Sequence, residues 1–203
     1  MLEHVGYDGD QRAKHCRNLP LLEAALRREP DDVYNWRHLG EVRLGLGDEA
    51  GGEAAIRRAI ELARARQPPH EVGRIAYAEL LSLLAARDDD AIAVAEEAVA
   101  LYPHDWQLRW LRARAAARAG RHDAALADLD RLVAVRLGEL SDLAAYDRGI
   151  FGAAAQELRG LCLFRLGRYA ESAAAYGSAA QELPGEQGLR AKRDLARALA
   201  GRR

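Results

Sequence analysis

Clustered carboxylates, histidines, thiols and arginines interleaved with aromatics are the sets from which this 203-residue chain could build chemistry. Asp88-Asp89-Asp90 has the carboxylate density that a hard divalent cation takes. The triplet also stands at a helical turn just before Ala91, where aspartates accept hydrogen bonds from free amides and offset the helix dipole; capping is the reading taken here. The six histidines, His4, His15, His38, His70, His104 and His122, are scattered, and no two stand four apart as a helical metal pair requires. His15 adjoins Cys16 but has no third ligand near it in sequence. Cys162, within Leu161-Cys162-Leu163-Phe164, reads as a buried structural thiol and not a reactive one. No G-x-S-x-G elbow, P-loop or dinucleotide fingerprint occurs. No catalytic residue, metal or cofactor is therefore assigned, and catalysis by this chain alone is not expected.

The richest constellation is Trp106, Arg109, Trp110, Arg112, Arg114, Arg118 and Arg121. Trp110, Arg114 and Arg118 are spaced four apart and share one helical stripe. An indole beside two guanidiniums can hold an acidic or aromatic peptide through charge-assisted hydrogen bonds and cation–π contacts. Alternatively these arginines lay their stems over apolar neighbours. Both readings stand for the stripe, and for any single residue the packing role leads.

The elements that carry these residues must be helices. Alanine supplies about a fifth of the chain, the apolar fraction is 49% and the aromatic fraction 6%. Alanine loses no side-chain entropy in a helix, so this composition excludes a large β-sandwich or barrel, and its apolar fraction excludes a disordered chain. Thirty Lys+Arg against 31 Asp+Glu leave a net charge of −1, which weighs against a nucleic-acid partner held by overall charge. All but two of the cations are arginine, the exceptions being Lys14 and Lys192. Two distant cysteines make neither a disulfide framework nor a zinc site, and a reducing cytoplasm is the expected compartment. No apolar run is long enough to span a membrane, and no signal-peptide pattern opens the chain.

Self-similarity organises the rest. Residues at offsets of four, seven and twelve recur as Ala91, Ala95, Ala98, Pro103, as Ser172, Tyr176, Ala179, Pro184, as Ala125, Leu129, Leu132, Leu137 and as Gly52, Ile56, Ala59, Arg64. Asn18, Leu22, Ala25 and Pro30 fit the same ruler. Offsets of four and seven share a helical face, and the proline, where present, ends the helix. Upstream of each full copy lies a second helix. The pairs Gly40/Gly47, Ala113/Gly120 and Gly160/Gly167 are each seven apart, with Gly47, Gly120 and Gly167 at tight reversals. The unit is thus a helical hairpin of about 34 residues. Copies are unevenly spaced, with extra residues at Ala65–His70 and Gly138–Gly152 that are expected to lie in connections without disturbing the stacked core.

This pattern resembles the tetratricopeptide repeat, whose W-x₂-L-G signature stands here as Trp36-Arg37-His38-Leu39-Gly40. The resemblance covers about residues 11 to 184; the second copy departs most, with Glu79 and Ala86 where glycine is usual. It implies an all-α fold, a right-handed superhelix (an α-solenoid) of hairpins with a C-terminal capping helix, in which the first helix of each hairpin lines a concave groove. The groove candidates it implies are Tyr34, Arg37, Glu41, Trp110, Arg114, Arg118, Glu157 and Arg165. Repeat modules that clamp a chaperone's terminal carboxylate use a Lys/Asn set. Here Glu41 occupies the asparagine's place and the groove lacks lysine, so that role is discounted.

Before the first full repeat, His4-Val5-Gly6-Tyr7 is followed by Arg17-Asn18-Leu19 and Leu21-Leu22-Glu23. This run resembles the junction in bacterial family 2 glycosyltransferases where a helical repeat tail follows the catalytic domain. The resemblance implies that the chain is such a tail without its enzyme.

The expected organisation is residues 1–10 as leader or remnant of an upstream domain, 11–32 as a leading half-hairpin, 33–184 as four hairpins and 185–203 as a capping helix with a basic tail. In that cap, Ala191, Leu195, Ala198 and Leu199 are expected to face the protein, with Arg190, Arg193, Asp194 and Arg197 toward water. The expected function is a protein-interaction module binding a protein or peptide, an acidic one among the candidates. The enzyme-class rival is part of a sugar-transferring polypeptide that is active only with an upstream catalytic domain. Pairing of two copies through their ends stays open.

Overall fold

The computed structural model describes residues 11–87, 91–140 and 146–202. Ten α-helices fill most of them: α1 Gln11–Arg28, α2 Val33–Leu46, α3 Glu49–Arg64, α4 Val72–Ala86, α5 Ile92–Leu101, α6 Trp106–Arg118, α7 His122–Val133, α8 Ala153–Arg165, α9 Tyr169–Glu182 and α10 Gln187–Ala200. No strand occurs among the described residues. The fold is all-α, a helical repeat array.

Local chemistry sets the boundaries. Asp32, Asp48 and Asp105 each accept a backbone N–H from the first turn of the following helix, at Asn35, Gly51 and Leu108. The reversals between α2 and α3, α6 and α7, and α8 and α9 turn on Gly47, Gly120 and Gly167, with φ of 90°, 73° and 72°. A side chain there would strain the left-handed backbone, which is why glycine recurs at this point.

Two compact units follow along the chain, residues 1–86 and 87–203. In the first, α2 packs against α3 so closely that a Cβ on Gly40 would stand 2.5 Å from Ile56 Cγ1. Helix α1 lies along α2, where Leu26, Leu39 and Ala55 form a small core flanked by Leu19, Leu22 and Trp36. The Trp36 indole N–H donates to the Pro30 carbonyl at 2.7 Å. In the second unit α5 to α10 pack in chain order. The α8–α9 hairpin sets the bare backbone of Gly160 against the Tyr176 ring, and Ser172 Oγ donates to the Gly160 carbonyl at 2.8 Å. Leu129, Leu132 and Leu163 are wholly buried between successive hairpins, each contributing on the order of 2 kcal/mol over an exposed leucine.

One expectation falls outside the described residues, and two others are revised. Asp88-Asp89-Asp90 lie outside the described residues, and so does the capping role assigned to them. The insertion before α8 does more than connect. Its 3₁₀ turn Arg148–Phe151 sinks Ile150 and Phe151 into the core, where Phe151 meets the rings of Trp106 and Tyr146 edge-on at 6.0 and 5.8 Å. The face of α10 is also rotated from the one expected. Leu189 and Ala196 are buried, whereas Ala191, Leu195 and Ala198 are exposed. The stem of Arg193 passes over Gly177 of α9, so an arginine covers the surface that alanine and leucine were expected to cover.

Candidate functional site

The arginines of α6 divide between two sides of the helix. Arg109 and Arg112 turn inward to Asp128 on α7, a carboxylate almost wholly buried. Arg109 Nη1 donates to Asp128 Oδ1 at 3.0 Å, and Arg112 grips the same carboxylate through Nε and Nη2, both at 2.7 Å. Arg109 also donates to the Pro103 carbonyl at 2.8 Å and lies 5.7 Å from the Trp106 ring centroid. The hydrogen bond to Asp128 holds the Arg112 guanidinium above its ordinary pKa. These two residues fasten α6 to α7. Arg121 pairs with Glu96 at 3.0 Å. Two arginines of this helix thus share one buried carboxylate, and the arginine just past its end is paired on the surface.

Arg114 is placed otherwise. Its guanidinium lies 6.0 Å from the Trp110 ring centroid, and no carboxylate of the described residues pairs with it. The two residues line a cleft of about 400 Å³ with Ala154, Glu157, Leu158 and Leu161 of α8, Tyr176 of α9 and Lys192 of α10. Lys192 Nζ donates to Glu157 Oε1 at 2.6 Å and lies 6.0 Å from the Tyr176 ring. Burial pushes the Tyr176 hydroxyl up to about 12, helped by the Glu157 charge, so the ring is a neutral floor at physiological pH. The result is an apolar trough with one pre-set, unpaired cation on its rim.

The first unit carries a different surface. Arg37 on α2 donates from Nε to Glu79 Oε1 at 2.9 Å, its Nη2 contacts the same oxygen, and a second contact reaches Glu41 at 3.2 Å. The Glu79 hydrogen bond raises the Arg37 pKa above its ordinary value. Tyr34, 54% exposed, stands 5.8 Å from the His38 ring. Among the described residues no group of three or more His, Cys, Asp or Glu could hold a metal ion. His15 packs over Gly45, and Cys16 is exposed. Burial pushes the Cys162 thiol up to about 11, so it is no nucleophile.

A family model, the tetratricopeptide repeat, matches residues 19–68, 77–141 and 142–188, well over half of the chain. The chain belongs to the tetratricopeptide repeat family. Two solved structures are similar in fold. One is a tetratricopeptide repeat protein from Parabacteroides merdae, 16% identical with a TM-score of 0.47, where 92% of this chain is covered and 66% of that one. The other is a thermophilic TPR protein in Thermus thermophilus, 20% identical with a TM-score of 0.39, where 91% of each chain is covered. Comparison with curated proteins finds no match.

Of the eight groove candidates, Trp110, Arg114 and Glu157 come together in the cleft of the second unit. Arg118 and Arg165 are exposed on α6 and α8 but do not line it. Tyr34, Arg37 and Glu41 share the face of α2 in the first unit. Five lining residues, Ala154, Leu158, Leu161, Tyr176 and Lys192, escaped sequence reasoning. Leu161 follows Gly160 as Arg114 follows Ala113 and Glu41 follows Gly40, so the repeat register pointed to it although its type did not. Tyr176 stands in the recurring four-and-seven offsets, which mark a helical face and not a groove. Lys192 gave a signal through rarity, one of two lysines in an arginine-rich chain.

Proposed function

We propose that this tetratricopeptide repeat chain is a protein-interaction module that takes an acidic peptide or partner segment in the α6–α8 cleft. One observation carries the reading: Arg114 stacks on Trp110 at the rim of an apolar trough with no carboxylate of the described residues paired to it. A guanidinium held there meets a ligand carboxylate with little further ordering cost. The test is to select binders from an unbiased displayed peptide library on the wild-type chain and titrate them against Trp110→Ala and Arg114→Glu. Expected is a loss of about tenfold or more for both variants. Selected peptides that bind both variants as tightly as wild type would remove the cleft from the mechanism.

The finer proposal is that this module serves as the helical tail of a glycosyltransferase-like polypeptide in a reducing cytoplasm. Arg17-Asn18-Leu19 and Leu21-Leu22-Glu23, which carry that resemblance, lie on α1, while His4-Val5-Gly6-Tyr7 lie outside the described residues. Two free cysteines agree with a reducing compartment, and no described helix is long and apolar enough to cross a membrane. Immunoblotting of source cells with an antibody to this segment decides. A band at least twice 22.3 kDa supports a tail and sends the sugar-transfer assay to the longer chain; a band near that mass leaves a free-standing adaptor.

A further inference from the structure

Helix α10 follows the register of a hairpin's first helix. Gly201 stands 34 residues after Gly167, one repeat length, so α8 and α10 can be compared position by position. Cys162 and its equivalent Ala196 are both wholly buried, and Leu158 and its equivalent Lys192 both line the cleft. Where α8 presents Gly160 and Leu163 to α9, α10 has Asp194 and Arg197, both exposed. The face that would receive a following helix is therefore polar. The other apolar row of α10, Ala191, Leu195 and Ala198, is exposed, and Leu195 is the register equivalent of Leu161 in the cleft. These leucines are 54% and 39% exposed, on adjoining helices of one unit.

Resting on the cleft reading above, we infer that α10 is a wall of the binding site and that its occupant is an acidic amphipathic segment. Its apolar side chains lie along Leu161 and Leu195, and its carboxylates meet Arg114 and Lys192. Charge complementarity selects this occupant: the lining holds two cations and one carboxylate, and that carboxylate, Glu157, is already held by Lys192. A ligand carboxylate can share the Lys192 ammonium, which has three donors. A solubilising cap would need none of this apolar row.

The probe is a fluorescein-labelled synthetic helix with glutamates and leucines along one face, together with two counterparts carrying lysine for glutamate or serine for leucine. Fluorescence anisotropy with the full chain is expected to show the acidic apolar probe binding at least about tenfold tighter than either counterpart. Leu195→Glu is expected to weaken it at least about fivefold and Lys192→Gln about two- to fivefold, with unchanged thermal midpoints because both side chains are half exposed. If Leu195→Glu lowers the midpoint, Leu195→Ser is read in its place. Both α10 variants within twofold of wild type, or equal binding of the lysine probe, would overturn the inference. Library-selected peptides that still require Trp110 would in that case leave the cleft standing without its α10 wall. Loss of the Trp110 requirement itself would mean that the underlying reading had failed.

Discussion

Helices α2 and α6 occupy the same place in their hairpins and each carries an arginine beside an aromatic, yet they treat the charge in opposite ways. On α2 Arg37 is held by Glu79 of α4 and by Glu41 of its own helix. On α6 the arginines that point inward share Asp128, and Arg114 on the outer side stays on its indole without a carboxylate among the described residues. The contrast separates arginines that hold helices together from one placed to meet something else. A guanidinium saturated by two carboxylates has little left to offer a ligand, because a competing acid must first displace a formed pair. An arginine resting on a tryptophan face loses only a cation–π contact of about 0.5–1 kcal/mol if it moves.

The largest effect should come from the fastening role. Asp128→Ala leaves Arg109 and Arg112 without their shared carboxylate, and Arg109 is nearly buried. Loss of about 3 kcal/mol of unfolding free energy is expected from urea titration followed by circular dichroism. A loss below about 1 kcal/mol would mean that water reaches these arginines, and the division between inward and outward arginines on α6 would lose its force.

That division was not legible in the sequence. Helical content and the turn glycines were, because each rests on a local requirement that recurs at a fixed offset, whereas spacing marked Gly40 and Gly160 without showing the contacts too tight for a Cβ. The face of α10 was misjudged for a related reason. Arginine counts as polar in any helical projection, but the Arg193 stem lies over Gly177, and no single-helix pattern shows what the neighbouring helix presents. Arg37 stands on the groove face by register, yet its partner Glu79 lies 42 residues away, at a position that the repeat pattern marks only as irregular. Leu161 is marked by its repeat register and not by its residue type, because a leucine on a helix reads as packing.

A smaller effect is expected on α2. Glu79→Gln keeps the shape of the contact and removes its charge, so the Arg37 pairing should weaken by about 1 kcal/mol, with both side chains partly screened from water. Chemical denaturation reads the loss. Adding salt tests its origin: the wild-type advantage over Glu79→Gln should shrink as ionic strength rises. An advantage that salt does not move would assign the contact to hydrogen bonding and packing, and the acidic character of this face would then explain little.

The smallest effect is the most telling. Arg114→Ala should change unfolding free energy by less than about 0.5 kcal/mol, since the side chain is exposed and no carboxylate of the described residues depends on it. The same substitution should reduce binding of an acidic peptide while leaving the buried side of α6, Leu108 and Leu111 with Asp128 of α7 behind them, undisturbed. Arg37→Ala should show the reverse, a measurable loss of stability with peptide binding unaffected. If instead Arg114→Ala destabilised the fold as much as Arg37→Ala, its stacking on Trp110 would be one more fastening, and the two faces would be equivalent after all. A loss of affinity without a loss of stability would place Arg114 at the ligand, by direct contact or by holding the Trp110 ring that the ligand meets.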